Sequence, residues 1–198
     1  MIAKRIFDFV VSMIGLLTLS PILATVAVWI KLSSTGPVLF KQIRVGYRGK
    51  HFQICKFRTM VVNAEAIGTQ ITTGDDPRIT KIGKFLRKYK LDELPQLFNV
   101  LAGEMSLVGP RPEVPKYVSL YNAEQKRVLN VLPGITDLAS IEFRNENELL
   151  TGKENSEEFY IQEIMPHKLL LNLEYIDQAN LLFDLKIIAR TIWRIVMD

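Results

Sequence analysis

Cysteine and histidine are almost missing from this sequence. Cys55 is the only cysteine, and His51 and His167 are the only histidines. A disulfide within the chain is therefore excluded, as is a zinc site built from the usual four Cys and His ligands. The glycines never fall into Gly-x-Gly-x-x-Gly or Gly-x-x-x-x-Gly-Lys-Ser/Thr, which removes the common dinucleotide and nucleotide-phosphate loops. No Gly-x-Ser-x-Gly elbow and no His-Glu-x-x-His pair occurs, so serine hydrolase and zinc protease chemistry lack their carriers. Internal repeats and low-complexity tracts are absent too.

What is present is apolar. Of 198 residues 48% are hydrophobic, and the mean hydropathy is +0.13. That is enough for one domain with a core, with apolar surface left to face something else. The charge is uneven: residues 1–111 hold 16 Lys/Arg against 7 Asp/Glu, and residues 112–198 hold 9 against 14. A basic half suggests anionic partners such as phosphates, lipid headgroups or nucleic acid. Nucleic acid is not expected, because no binding motif and no interleaved aromatics accompany the basic residues.

Phe9 to Ile30 carries no charge and is flanked by Lys4, Arg5 and Lys31. Its length suits a helix crossing a hydrocarbon core of roughly 30 Å. A cleaved signal peptide would have a shorter apolar region. Ser20-Pro21 lies at the centre, where proline removes a helix hydrogen bond and the serine hydroxyl can satisfy the freed carbonyl. Basic residues at both ends favour a re-entrant helix-break-helix that enters and leaves on the cytoplasmic side. The alternative is a kinked single-pass anchor. Residues 1–35 are read as this membrane segment and 36–198 as one cytoplasmic, membrane-associated catalytic domain.

The fold class expected is α+β, mostly helical. Val38 to Met60 reads as a β-hairpin around Gly46 and Gly49. Its Lys41, Arg44, Arg48, Lys50, Lys56 and Arg58 suit a surface against headgroups or phosphates. Residues 61–74 read as a loop or frayed helix. A helix is expected from Asp76, capped by it, with Pro77 in the first turn and Ile79, Ile82, Leu86 and Tyr89 on one face. A second is expected over Leu94–Ala102, ended by Gly103. Gly109-Pro110-Arg111-Pro112 must be rigid. Asn122 and Gln125 form a capping pair for a helix through Leu132. Residues 144–158 read as an acidic loop or lid. Leu181, Leu185, Ile188, Ile192 and Ile195 form the stripe of an amphipathic helix, either packed on the core or lying in the membrane interface.

The residues left to carry chemistry are Asp92 and Glu93. The ordinary role for such a pair is a solvated turn, with Asp92 capping the helix that Pro95 begins. Against it stand a run of basic residues just upstream, the cation that two adjacent carboxylates attract, and the rigid loop nearby.

Five stretches together resemble the bacterial sugar transferase family, the monotopic phosphoglycosyl transferases. They are Lys56-Phe57-Arg58-Thr59-Met60, Asp76-Pro77-Arg78, the run from Leu91 to Val100, the run from Gly103 to Pro112, and Pro133-Gly134-Ile135-Thr136. The stretch from Leu91 to Pro112 is the most specific. The chain looks like the family's minimal form, without further membrane helices upstream. The resemblance implies transfer of a sugar-1-phosphate from a UDP-sugar to undecaprenyl phosphate at the cytoplasmic face of the bacterial inner membrane, in contact with its lipid. This would be the first membrane step in assembling a capsule, exopolysaccharide, O-antigen or glycoprotein glycan. Asp92 would be the nucleophile that forms a phospho-sugar intermediate and expels UMP. Glu93 would hold Mg²⁺ or orient phosphate, and Arg87 and Arg111 would clamp phosphate oxygens, with Lys56, Arg58 and Arg144 as further phosphate or substrate contacts. A homodimer is compatible with this reading. One departure stands out: many members follow Pro-Gly-Ile-Thr with Gly-Trp and a Gln, where this chain has Asp137-Leu138-Ala139-Ser140.

Overall fold

The uncharged run lies inside a single helix, α1 (Ile2–Ser33), in a computed structural model that describes residues 2–67, 71–72 and 76–197. The expected division at Ser20-Pro21 is not seen as two helices. The helix continues through Pro21, and the Ser20 hydroxyl donates to Leu17 O at 2.8 Å, the carbonyl that the missing proline N–H leaves free. By length and composition α1 can cross a membrane.

A hairpin follows, β1 (Leu39–Val45) and β2 (His51–Phe57), antiparallel with Phe40 opposite Lys56 and Arg44 opposite Phe52. Next come the helices α2 (Ala64–Ile67), α3 (Lys81–Lys88) and α4 (Gln96–Ala102). Of the stretch read as a loop or frayed helix at 61–74, residues 68–70, 73 and 74 lie outside the described residues. Strand β3 (Ser106–Val108) precedes α5 (Pro115–Val118) and pairs in parallel with β4 (Gly134–Thr136). Short helices α6 (Leu138–Glu142), α7 (Glu146–Leu150) and α8 (Ser156–Phe159) lead, through one π-helical turn at Tyr160–Ile164, into α9 (Met165–Gln178) and α10 (Leu181–Met197).

The expected helix at Asp76 begins later. Thr80 is its cap and accepts from Gly83 N at 3.0 Å, because the Asp76 carboxylate is held by the Arg78 guanidinium at 2.7 Å instead. Gly103 does end α4, in the left-handed region. Asn122 and Gln125 do cap each other reciprocally, at 2.9 and 2.8 Å, but the element is a 3₁₀ helix over Gln125–Asn130 that stops before Leu132. Residues 144–158 hold the two short helices α7 and α8.

One core cluster gathers Val114, Tyr117, Tyr160, Leu169 and Leu173 under α9. A second gathers Leu97, Leu107, Tyr175 and Ile187, with Phe7 and Leu16 of α1 packed on it. A third joins Val26 and Ile30 of α1 to Phe57, Ile82 and Leu86. Both ends of α1 therefore rest on the same body. The predicted stripe of α10 is its packed face only in part: Ile188 packs on the second cluster and Ile195 is half-buried, but Leu181, Leu185 and Ile192 stay exposed, and the most buried residues are Asp184 and Ile187 beside the stripe. Strands β3 and β4 approach closely at Gly109 and Gly134, where a Cβ on Gly134 would sit 2.1 Å from Gly109 N. That tightness sets the course of the Pro110-Arg111-Pro112 loop.

Candidate active site

Leu91–Glu93 form one 3₁₀ turn between α3 and α4, entered through Lys90 at φ 55° and ψ 20°. A non-glycine residue in this left-handed region costs about 1 kcal/mol or more and persists only where its surroundings impose it. Here the last turn of α3 and Pro95 fix the two ends of the turn. Both carboxylates are turned inward: Asp92 is 7% exposed and the Glu93 side chain 12%.

Glu93 is saturated. Arg111 grips it with both terminal nitrogens, Nη1 to Oε2 at 3.1 Å and Nη2 to Oε1. Lys56 Nζ donates to Oε1 at 3.0 Å from the inner face of the hairpin. Burial alone would raise the Glu93 carboxyl, but Arg111 and Lys56 hold it well below the ordinary carboxylate range. Glu93 in turn raises the Arg111 guanidinium. Burial pushes the Lys56 ammonium down to about 8, against the pull of Glu93.

Asp92 is the opposite. Its Oδ1 is buried and has no hydrogen-bond partner among the described residues. It does not cap α4, whose cap position at Pro95 has no side-chain hydrogen bond. Burial, then the neighbouring Glu93 charge, raises its carboxyl above the usual aspartate value, and Lys56, Arg87 and Lys90 only partly offset this. An unpartnered buried acceptor normally costs one to a few kcal/mol, so a charged group supplied by a ligand would be stabilised there.

The dyad borders a cavity of about 1760 Å³ that Lys56, Arg87 and Arg111 also line. This is room for a substrate larger than a typical small ligand. Arg87 reaches it from α3, with Nε donating to Thr59 Oγ1 at 2.9 Å, and burial lowers its guanidinium. Arg144 lies on the lining beyond α6. Arg58 borders the cavity too, but its guanidinium ties the exit of α1 to the hairpin, donating to Thr35 O at 2.6 Å and Ser34 O at 2.9 Å. Ser20 and Pro21 sit on α1, away from the dyad.

Two further contributors stand outside the residues expected at the dyad, although Arg44 was among the basic residues of the hairpin. Asp137 accepts from Arg111 N at 2.9 Å and from Ser140 N, so it holds the Arg111 loop while capping α6. Arg44, on the inner face with Lys56, donates to Pro112 O at 3.1 Å. Strict alternation from Phe40 through Gln42 would have placed Arg44 there; Asp137 carried no comparable signal.

The sequence profile described as bacterial sugar transferase matches residues 1–198. An undecaprenyl-phosphate glucose phosphotransferase of Komagataeibacter xylinus is 42% identical over 98% of this chain and 36% of its own length. The UDP-N-acetylgalactosamine-undecaprenyl-phosphate N-acetylgalactosaminephosphotransferase of Aeromonas hydrophila is 44% identical over 70% of this chain and 33% of its own. The chain thus spans about a third of these two curated relatives. The uncharacterized sugar transferase EpsL of Bacillus subtilis (strain 168) is 37% identical over 100% of this chain and 89% of its own length. With the profile covering every residue and these relatives alongside, the chain belongs to the bacterial sugar transferase family.

Proposed function

We propose that the chain transfers a sugar-1-phosphate from a UDP-sugar to undecaprenyl phosphate through a covalent intermediate on Asp92. The observation that carries this reading is the buried, partnerless Asp92 Oδ1 in a cavity ringed by Lys56, Arg87 and Arg111. The names of the relatives support the donor and acceptor classes, and two of them differ in sugar.

In the first step an Asp92 carboxylate oxygen attacks the β-phosphorus. The bond from that phosphorus to the bridging oxygen breaks, and UMP leaves with the electron pair. In the second step a phosphate oxygen of the acceptor attacks the same phosphorus, the bond to Asp92 breaks, and the carboxylate is restored. One phosphoanhydride is broken and one is made, with no net proton transfer. An acyl phosphate is itself readily attacked, which makes a carboxylate a suitable relay. Arg87 and Arg111 present planar donors to the phosphate oxygens, and Lys56 a point charge.

The residues also fit Mg²⁺, which is commonly held by one or two carboxylates together with substrate phosphates. Asp92 would hold it through the orphaned oxygen, with Glu93 added once Lys56 turns towards the phosphates, and the ion would neutralise diphosphate charge.

The packing of α1 supports a re-entrant membrane segment. Its first turns are bonded to the catalytic body by Arg5, to Val100 O at 2.7 Å, and by Asp8, from Ser106 Oγ at 2.8 Å. Its last turns pack through Val26 and Ile30 on Phe57 and Leu86. A helix tied to one body at both ends suits a segment whose ends share one side of the bilayer; the dyad would then face the cytoplasm at the level of the acceptor phosphate.

The test is UMP release by purified protein given Mg²⁺, undecaprenyl phosphate and a panel of UDP-sugars. The reading expects UMP with at least one donor and none from Asp92→Asn; equal release by the folded variant would overturn it.

A further inference from the structure

We propose that the isoprenoid chain of the acceptor leaves the dyad cavity sideways, through an apolar gap between α1 and α10. The inference rests on the transferase reading above and adds the path of the lipid.

The cavity has two unlike walls. Beside the hairpin and α9 the lining is polar and mutually bonded. Tyr160 OH donates to Glu113 Oε1 at 2.5 Å, Lys168 Nζ to Glu146 Oε2 at 2.8 Å, and Arg44 Nη1 to Pro112 O at 3.1 Å. Desolvating these groups against a hydrocarbon chain would return nothing, since the chain has no hydrogen-bonding group. The second wall is made of Leu97, Leu107, Ile135 and Ile188 from a different core cluster, continued by Ile192 and Val11 on the lining. Polar groups interrupt it at a few points: the Thr136 and Thr191 hydroxyls bond each other at 2.7 Å, and Ser140 and Arg194 border the cavity as well.

This apolar wall is graded. Leu97 and Leu107 are 8% and 9% exposed, whereas Val11 of α1 and Ile192 of α10 are 37% and 57% exposed. The apolar lining of the cavity that Asp92 borders therefore reaches the surface rather than ending in a closed pocket. It emerges on the two helices that carry Ile14, Leu17, Leu182, Trp193 and Val196, all exposed apolar side chains. So many exposed apolar side chains on two helices suit contact with a membrane. A chain leaving here passes from Leu97 into lipid without crossing water, while its phosphate stays at the dyad. Uridine and sugar are too polar for this wall, so the acceptor's tail is the occupant that matches it.

The experiment uses the full chain in nanodiscs with Ile192→Trp and Val11→Trp, which narrow the gap at exposed positions and so spare the fold. Three rates are read: acceptor-free exchange of labelled UMP into UDP-sugar, transfer to undecaprenyl phosphate, and transfer to dimethylallyl phosphate. The expected result is a KM for undecaprenyl phosphate raised about tenfold, roughly the contribution of one buried apolar side chain. Exchange and the KM for dimethylallyl phosphate stay within about twofold of the parent. Leu182→Trp, at a more exposed position of α10 outside the cavity lining, changes none of the three. An unchanged KM for undecaprenyl phosphate, or an equal rise with the short acceptor, would overturn the path while leaving the transferase reading intact. No exchange by the parent protein would remove that reading and the path with it.

Discussion

Buried carboxylates occur in two regions of this molecule, and they are treated differently. At the foot of α1, Asp8 and Asp184 are each 1% exposed. Asp8 accepts from Ser106 Oγ at 2.8 Å and Leu107 N at 3.2 Å; Asp184 accepts from Lys4 Nζ at 2.5 Å and Tyr175 OH at 2.7 Å. At the dyad, Glu93 is likewise filled, but Asp92 Oδ1 has no partner among the described residues. Saturated carboxylates hold elements together: here they join α1 to β3 and α10. A carboxylate that the fold buries and leaves open, among cations that attract phosphate, is arranged for a ligand.

The largest effect that separates the two regions is expected from Asp92→Asn. Turnover should fall by at least about 10³-fold, as for loss of other covalent nucleophiles. The melting temperature in the same detergent should hold or rise, because the change removes a buried charge that its neighbours only partly offset and whose Oδ1 has no hydrogen-bond partner among the described residues. Asp184→Ala should do the reverse. It removes the counter-ion of Lys4 and an acceptor of Tyr175, leaving both to share Val108 O, and should cost about 3 kcal/mol, less if the one-third exposure of Lys4 lets water in. Protein that remains folded should keep its specific activity. Thermal unfolding alongside UMP release reads both variants, and a merely structural Asp92 would make the two behave alike.

The pH dependence sharpens the comparison. Lys56 is protonated below about 8 and loses its charge as pH rises through that value. The kcat/KM for the UDP-sugar should therefore fall through about pH 8, and Lys56→Arg, which stays charged, should remove that limb. On the acid side the raised Asp92 carboxyl should lose its nucleophilic form above the ordinary aspartate value. A pH–rate profile of the two proteins checks both limbs. The smallest effect belongs to Ser20→Ala, which uncovers Leu17 O beside Pro21. About 0.5–1 kcal/mol should be lost, read as a small drop in thermal stability in nanodiscs.

What could be read before the fold was known were the features that local chemistry decides. The hairpin, the end of α4 at Gly103 and the reciprocal caps of Asn122 and Gln125 follow from neighbours in sequence. So did the Asp92-Glu93 pair, by motif. Features set by long-range partners were hidden. Asp76 had the position of a helix cap, yet Arg78 claimed it. The apolar stripe of α10 was visible, but the packed face lies to one side of it, through Asp184 and Ile187, and shares only its Ile188 edge. The difference between Asp92 and Glu93 was hidden as well, because it depends on Lys56 and Arg111, which chain folding brings to one oxygen and not the other.

The covalent role of Asp92 is tested most directly by giving the protein a UDP-sugar labelled at the β-phosphate, without acceptor, and digesting it after a rapid quench. Label on the peptide that contains Asp92, absent in Asp92→Asn and chased off by undecaprenyl phosphate, is the predicted result. Transfer to undecaprenyl phosphate by a protein that never carries label would contradict it, and would assign the reaction to direct attack by the acceptor.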